Sequence, residues 1–418
     1  VSRSQGANTF LHFKEETVYG TKPTGNWHKL PFFKSDMGAE QPLIQNNLLG
    51  QGREPQDSNL DVVTNEGGFG IPADVRNLGY WLKMLMGAPT TVQVAATGTI
   101  LFPAQPLAND TITINGTVFT YVAASPTTFQ ILIGADLSAT LANTTTKLNG
   151  SADVNVTPAT YSDDTVDTLI ITHDTLGSAG NAFTLAADAA TVSGATLTGG
   201  GYRHTFKSGS ATLPSFSAEI AHINVPNYRV NVGGVLDTMQ FTFARSGTPE
   251  IQVGAIARNE ETFATSQAGT PDSKTLTLLN QFNGQIKLDG AQATVTGGGF
   301  TYANTLEKVD NIEPLGLIAA ADPTQIKING NIDVRFKDTV LLDKAAAGTP
   351  VALEYNYTKL LHERVVWTFP RVILPKPKVS VDGPVGVQVS FGWEAAFDSA
   401  SAISGKCELY NDVASYPA

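Results

Sequence analysis

The chain runs to 418 residues, 42% of them hydrophobic, which is long enough for two or three domains with packed cores. Only 16% are charged and the formal net charge is −11, which argues against disorder and against a surface built to grip phosphate. One cysteine, Cys407, leaves no internal disulfide or thiolate zinc site, and no apolar run approaches the ~20 residues needed to span a bilayer.

The opening residues Val1–Gly6 are polar and do not read as a secretory leader, so a soluble protein made in a reducing cytoplasm is expected. From Met37 to Leu60 no periodicity is visible, and Asn46, Asn47, Gly50, Gly52, Pro55 and Asp57 break the chain repeatedly. Leu43, Ile44, Leu48 and Leu49 make this stretch unusually apolar for a free loop, so it is expected to pack on something. A helix is expected from Pro72 to Met86, with Asp74 at its positive end and Gly87 and Pro89 as the stop. Its Val75, Leu78, Leu82 and Leu85 fall on one stripe, which should lie on a sheet.

Composition changes between Gln93 and Gly201, where eight Asp and one Lys account for −7 of the net charge. This segment has its own hairpin, Asp110–Val122, turned by Asn115-Gly116, then a helix at Leu137–Leu148 and strands near Thr168–Thr172 and Ala182–Leu185. It reads as a self-contained insertion at an exposed loop. Period-2 strands recur at Thr111–Tyr121, Gln240–Ala244, Ile332–Phe336, Val365–Phe369 and Val387–Trp393. A second helix, Thr339–Ala347, has Asp338 to cap it and ends on Gly348 and Pro350, the Gly-x-Pro stop of the first.

That coincidence extends into a repeat. Leu60–Val63 precedes the first helix and Ile332–Phe336 the second. Downstream of the first come Asn224-Val225-Pro226, Val232–Val235 and Gln240–Phe243; downstream of the second come Thr368-Phe369-Pro370, Val381–Val385 and Val389–Trp393. The expected fold is mainly β, with two tandem β-sandwich or barrel units, each flanked by one helix, plus a small inserted α+β domain. The expected division is 1–92 with 202–285, an insert at 93–201, and a second unit at 286–418.

Residues with catalytic potential do not assemble into a motif. His12, His28, His173, His204, His222 and His362 show no metal-ligand spacing, and Asp163, Asp164 and Asp167 lack the order of a calcium loop. Glu15-Glu16 and Glu260-Glu261 would point to opposite faces of a strand. The glycine runs Gly67–Gly70, Gly199–Gly201 and Gly297–Gly299 continue into no phosphate loop and read as turns or hinges. No catalytic, cofactor or metal residue is therefore expected. A structural protein fits best, and a carbohydrate-binding or adhesive β-protein or an enzyme on a β-scaffold are the alternatives left open.

Several stretches resemble the tail tube proteins of long-tailed, siphovirus-type bacteriophages. They are Ile71–Thr91, Tyr202–Phe206 running into Leu213–Phe216, and Asp338–Pro350 leading to Val381–Pro384. The resemblance covers most of residues 1–92 and 202–418, and the insert resembles a module of various phage tail proteins. It implies a structural virion protein, assembled in the host cytoplasm into stacked rings that form the hollow conduit for DNA ejection. Partners implied are further copies of itself, a tape measure protein and tail-end proteins, with DNA passing through without sequence-specific binding and no membrane. Two units per chain would make the ring a trimer with pseudo-sixfold symmetry, the alternative being a hexamer. By position the Met37–Leu60 segment matches the loop that reaches the neighbouring ring, making Leu43, Ile44, Leu48, Leu49, Arg53 and Pro55 its candidate contact residues.

Overall fold

The computed structural model describes residues 3–312, 314–335, 339–379 and 386–417. Phe336, Asp338 and the Val381–Val385 stretch lie outside the described residues. Strands dominate and there are three α-helices among the described residues: α1 (Leu78–Met86), α2 (Leu137–Asn149) and α3 (Val340–Ala347).

The first unit contributes β1 (Thr9–Glu15), β2 (Thr64–Pro72), β3 (Phe216–His222), the long β4 (Asn227–Phe243), β5 (Glu250–Ala257) and β6 (Asn259–Phe263). The second contributes β7 (Gly284–Leu288), β8 (Val295–Ala303), β9 (Lys327–Arg335), β10 (Val351–Leu360), β11 (Glu363–Ile373), β12 (Gln388–Ala395) and β13 (Lys406–Asn411). The ladders repeat from one unit to the other. Antiparallel pairs β1–β3, β3–β4, β4–β5, β4–β6 and β2–β5 recur as β7–β10, β10–β11, β11–β12, β11–β13 and β9–β12. The edge segment Lys34–Glu40 pairs with β2 as β8 pairs with β9. Register is kept too: Gly68 stands opposite Gly254 in one unit, and Asn331 opposite Gly392 in the other. The strand before the first helix is thus Thr64–Pro72, not Leu60–Val63. Asn224–Pro226 forms a hairpin turn, whereas Thr368–Pro370 lies inside β11, so that element of the sequence match is not structural.

One more ladder, β4 with β8, joins the units edge to edge from Thr238↔Ala303 to Phe243↔Gly298. The result is a row of six strands in the order β2–β5–β4–β8–β9–β12. Under it a single hydrophobic cluster runs through both units, from Leu11 and Phe69 to Trp393 and Leu409. At the join Phe241 stacks on Phe300 (centroids 5.0 Å apart) and packs edge-on against Trp367. The units therefore share one core.

Helix α1 begins six residues later than expected. Pro72 is the last residue of β2, paired with Glu250. The Asp74 carboxylate then gathers the amides of Asn77 (3.2 Å) and Thr277 (2.6 Å), so residues 74–77 fold as a turn around it. Nor is α1 buried on one stripe only: every residue but Lys83 is buried, because Tyr416 of the C-terminal segment covers the second side against Gly79. Helix α3 runs from Thr339 as its cap residue and stops on Gly348 in a left-handed conformation, where its amide reaches back to Ala345.

Residues 96–197 hold a hydrophobic cluster of their own, including Ile100, Phe119, Tyr121, Leu141 and Ile171. Two four-stranded sheets and α2 build it. One sheet runs Gln130–Leu132, Thr117–Val122, Thr111–Ile114, Leu185–Ala187; the other runs Ala159–Asp163, Thr168–His173, Thr97–Leu101, Thr191–Val192. Asn115 and Gly116 both take positive φ (46° and 89°), the geometry of a two-residue hairpin turn. Asp136 caps α2 by accepting the Ala139 amide at 2.8 Å. The strand expected at Ala182–Leu185 begins at Leu185; Ser178–Ala182 is a short 3-10 turn that Gly177 and Gly180 permit. Entry and exit of this segment pair directly, Thr90–Val94 with Gly201–Thr205.

That pairing is pinned by His204, which is fully buried. Its Nε2 donates to the Val413 carbonyl at 2.8 Å, so the neutral ring offers Nδ1 to the Thr91 hydroxyl at 2.8 Å. Burial pushes its pKa below 6.5, outweighing the hydrogen bonds to Val413 and Asn411. A lowered folded pKa means the contribution is fully present above the unfolded value of 6.5 and is lost progressively as pH falls from there through the lowered folded value. Thermal melts between pH 7.5 and 5 should show the midpoint falling. His204→Gln should melt lower at pH 7.5 with a shallower dependence on pH, the remainder coming from His28 and His222, whose pKa values burial also lowers.

Candidate functional site

Two exposed surfaces stand out among the described residues. The first is the outer face of the six-strand row. Alternation along each strand sends Phe69, Met239, Phe241, Phe300, Ile332, Val389 and Phe391 to the core. The other face carries Thr238, Gln240, Thr242, Thr301, Asn329, Asn331, Ser390 and Gln388, with acids Asp36, Glu40, Glu66, Glu250, Asp333 and Glu394 and bases Lys34, Lys327 and Arg335. The sequence singled out Gln240–Ala244, Ile332–Phe336 and Val387–Trp393 as strands with two distinct faces. Three strands of this row, β4, β9 and β12, carry their described residues. Lys34 is neutralised by Glu250 at 3.2 Å and Glu66 holds Lys308 at 2.6 Å, which leaves the face polar with an acidic excess.

Glycines make this face low. Gly67–Gly70 and Gly297–Gly299 sit inside β2 and β8 and are not turns; only Gly199–Gly201 leads from the insert back into a strand. A Cβ at Gly299 would stand 2.6 Å from the Phe241 carbonyl oxygen, and one at Gly68 would stand closer still to that of Val253. Neighbouring backbones thus approach where no side chain fits.

The second surface is the segment after the edge strand. Met37 is buried and Gly38–Glu40 pairs with β2, so the first residues expected to be loop are strand. Beyond them Leu43–Ile44 pairs with Asn59–Leu60 as a narrow ribbon. Asn46 donates to the Asp57 carbonyl (2.6 Å) and Gln41 to that of Asp61 (2.8 Å), closing the ribbon on itself. Its apolar side chains do not pack in the chain: Leu43 is 65% exposed, Leu48 63% and Leu49 97%. Ile44, Arg53 and Pro55 are exposed too, and Arg53 has no ionic partner among the described residues. The arm thus carries a contiguous stripe of exposed apolar side chains.

Sequence reasoning missed a second arm at the equivalent place. Glu307–Asp310 pairs with Ile318–Asp322 between β8 and β9, with Ile312 and Leu315 exposed at its end. Both arms span 23 residues, 41–63 and 304–326, a match in length that was readable once the strands were aligned. The base of the first arm touches the tip of the second, where the Val63 amide donates to the Leu315 carbonyl at 3.2 Å.

Side chains with reactive groups are used structurally. His12 and Glu219 form a buried pair at 2.7 Å. Burial raises the Glu219 pKa, but hydrogen bonds from His12, the Gln267 amide and Ser266 outweigh it and leave a net lowering. Glu16 is buried and accepts from the amides of Gly20 and Gly233 and the hydroxyls of Ser215 and Ser217; its neighbour Glu15 pairs with Lys83. Asp164 accepts the amides of Val166, Asp167 and Thr168, which lower its pKa to about 2, so the acidic cluster is a turn. Among the described residues no three His, Cys, Asp or Glu side chains converge as a metal site.

A β-rich protein whose polar reactive groups are spent on its own fold, and whose exposed features are strand edges and apolar arms, belongs to the class of self-assembling structural proteins. The sequence profile described as phage tail tube protein matches residues 6–201 and again 168–395, and the chain belongs to that family. The double match makes the tube domain duplicated. The protein is accordingly a non-enzymatic structural component of the phage tail virion that self-assembles into the tail tube. No curated protein matches the chain significantly.

The close approach at Gly299 gives a direct test of the row. Gly299→Ala should destabilise by about 1–3 kcal/mol, because the β4 backbone must shift away. A urea titration should show a lower midpoint with an unchanged slope.

Proposed function

We propose that three copies close into a ring of six tube units, and that rings stack into a bore through which DNA passes during ejection. The observation that supports this is the β4–β8 ladder, a unit-to-unit strand junction already present inside one chain. Repeating it between chains extends the row of strands around an axis, and head-to-tail contacts of that kind close when the rotation permits. Three chains with two units each supply six units, where a family member with one unit would need six chains. In this reading the first unit is 1–92 with 202–285, the second 286–418, and residues 93–201 form a peripheral domain facing outward. Strand β7 already begins at Gly284.

Closure leaves the outer face of the row lining the lumen. Its neutral amides and hydroxyls and its acidic excess suit the passage of a polyanion, since every unpaired Lys or Arg there would hold phosphate and slow it. The tape measure protein would occupy the same bore during assembly, with tail-end proteins capping the open rings. The assembly site is the host cytoplasm, and no membrane takes part.

Stacking falls to the arms, with Leu43, Ile44, Leu48 and Leu49 buried against the adjacent ring and Arg53 and Pro55 at the rim of the contact. Replacing residues 43–58 by a short Gly-Ser turn should leave single rings visible by electron microscopy and abolish tubes. Unchanged tubes would contradict the role of the arm. Replacing Ala95–Gly200 by Asn-Gly, between the paired Val94 and Gly201, should leave tube formation intact, with thinner tubes in projection. Loss of rings in that variant would contradict a peripheral insert.

A further inference from the structure

Ring closure requires each chain to present, at one end of its row, the counterpart of what β8 presents to β4. We infer that the unpaired segment Leu374–Val379 is the strand that receives the next chain's edge segment Lys34–Glu40, with Lys376 facing Glu40 across the seam; this rests on the ring reading above.

The internal junction supplies the register. In the first unit Leu236 pairs with Ala255, Thr238 with Gly254 beyond a bulge, and Thr238 also pairs with Ala303 of β8. In the second unit Val372 pairs with Ala395 and Ile373 with Glu394, and the equivalent strands β5 and β12 match from Glu250 and Gln388 onward. Leu374 is then the counterpart of Leu236, and both are buried. Lys376 and Lys378 become the counterparts of Thr238 and Gln240. Across the junction, Lys34–Glu40 pairs with β2 as Gly297–Ala303 pairs with β9, so Glu40 is the counterpart of Ala303 and Met37 that of Phe300.

Transposing the pairs places Lys376 opposite Glu40. Lys378 falls opposite Gly38, one position diagonal from both Asp36 and Glu40. Val379 meets Met37 on the core side, where Phe241 meets Phe300 inside the chain. The chemistry agrees with the register: Lys376, Lys378 and Glu40 are exposed, and none has an ionic partner among the described residues. Opposite charges directly across a ladder favour pairing and like charges oppose it. Beyond Ile373 the segment pairs with no strand. Its Pro375 and Pro377 remove donors from one side of an extended chain only, so Lys376 and Lys378 keep their amides for a partner while the lone subunit offers a poor template for indiscriminate pairing.

Cysteines at directly opposed positions lie within disulfide reach. The double variant Lys376→Cys/Glu40→Cys, oxidised after tube formation, should give covalent dimers and trimers on a non-reducing gel, and Lys376→Cys alone should not; native Cys407 is fully buried. Lys376→Glu or Glu40→Lys should each raise the protein concentration for half-maximal assembly by about tenfold or more, and the combined swap should restore it. Wild-type tubes together with an unlinked cysteine pair and a swap that restores nothing would overturn this seam while leaving the tube reading standing. Wild-type protein that forms no rings would overturn both.

Discussion

A β-strand carries donors and acceptors on both edges, and a sheet that ends in open strands has groups left to satisfy. In this protein that constraint organises everything else. Within the chain it is met five times along the row from β2 to β12, once by joining two units that descend from a single pattern. At the outer ends the ladder stops at a short edge segment on one side and at β12 with its unpaired neighbour Leu374–Val379 on the other. Core, arms and insert are arranged around that interrupted row.

The division of hydrophobic burial follows the same logic. The two tube units share one cluster, and the aromatic contacts of Phe241 with Phe300 and Trp367 cross their junction, so the row is held rigid from beneath. The insert, by contrast, has a core drawn entirely from its own residues and joins the body through one strand pair. The chain thus packs in two ways, with one core shared between the units and another kept separate.

Much of this was readable from residues. Asn115-Gly116, the helix at Leu137 and the alternation at Gln240, Ile332 and Val389 depend on local chemistry, and local chemistry is what a sequence displays. The exposed leucines of the Met37–Leu60 segment were legible as a composition anomaly, and within the chain they pack on nothing. Other features depended on partners distant in sequence. Asp74 reads as a helix-start residue until Thr277 is placed beside it, and α1 reads as amphipathic until Tyr416 covers its outer side. The glycine runs read as turns because nothing local announces that a neighbouring carbonyl stands where a Cβ would be. The second arm is hidden when the repeat is matched on Leu60–Val63, because the strand that pairs is Thr64–Pro72.

The covalent link between the units has a kinetic side. Two separate subunits meeting through a ladder like β4–β8 would surrender translational and rotational freedom, a term of several kcal/mol. In a fused chain that contact forms at a high effective concentration while the polypeptide folds, independent of how much protein the cell has made. If the proposed circle of six units closes, half of its joints are complete before any encounter, and only the other half depend on supply. In the proposed ring, assembly would nucleate from three bodies instead of six, and its onset would be less sensitive to dilution.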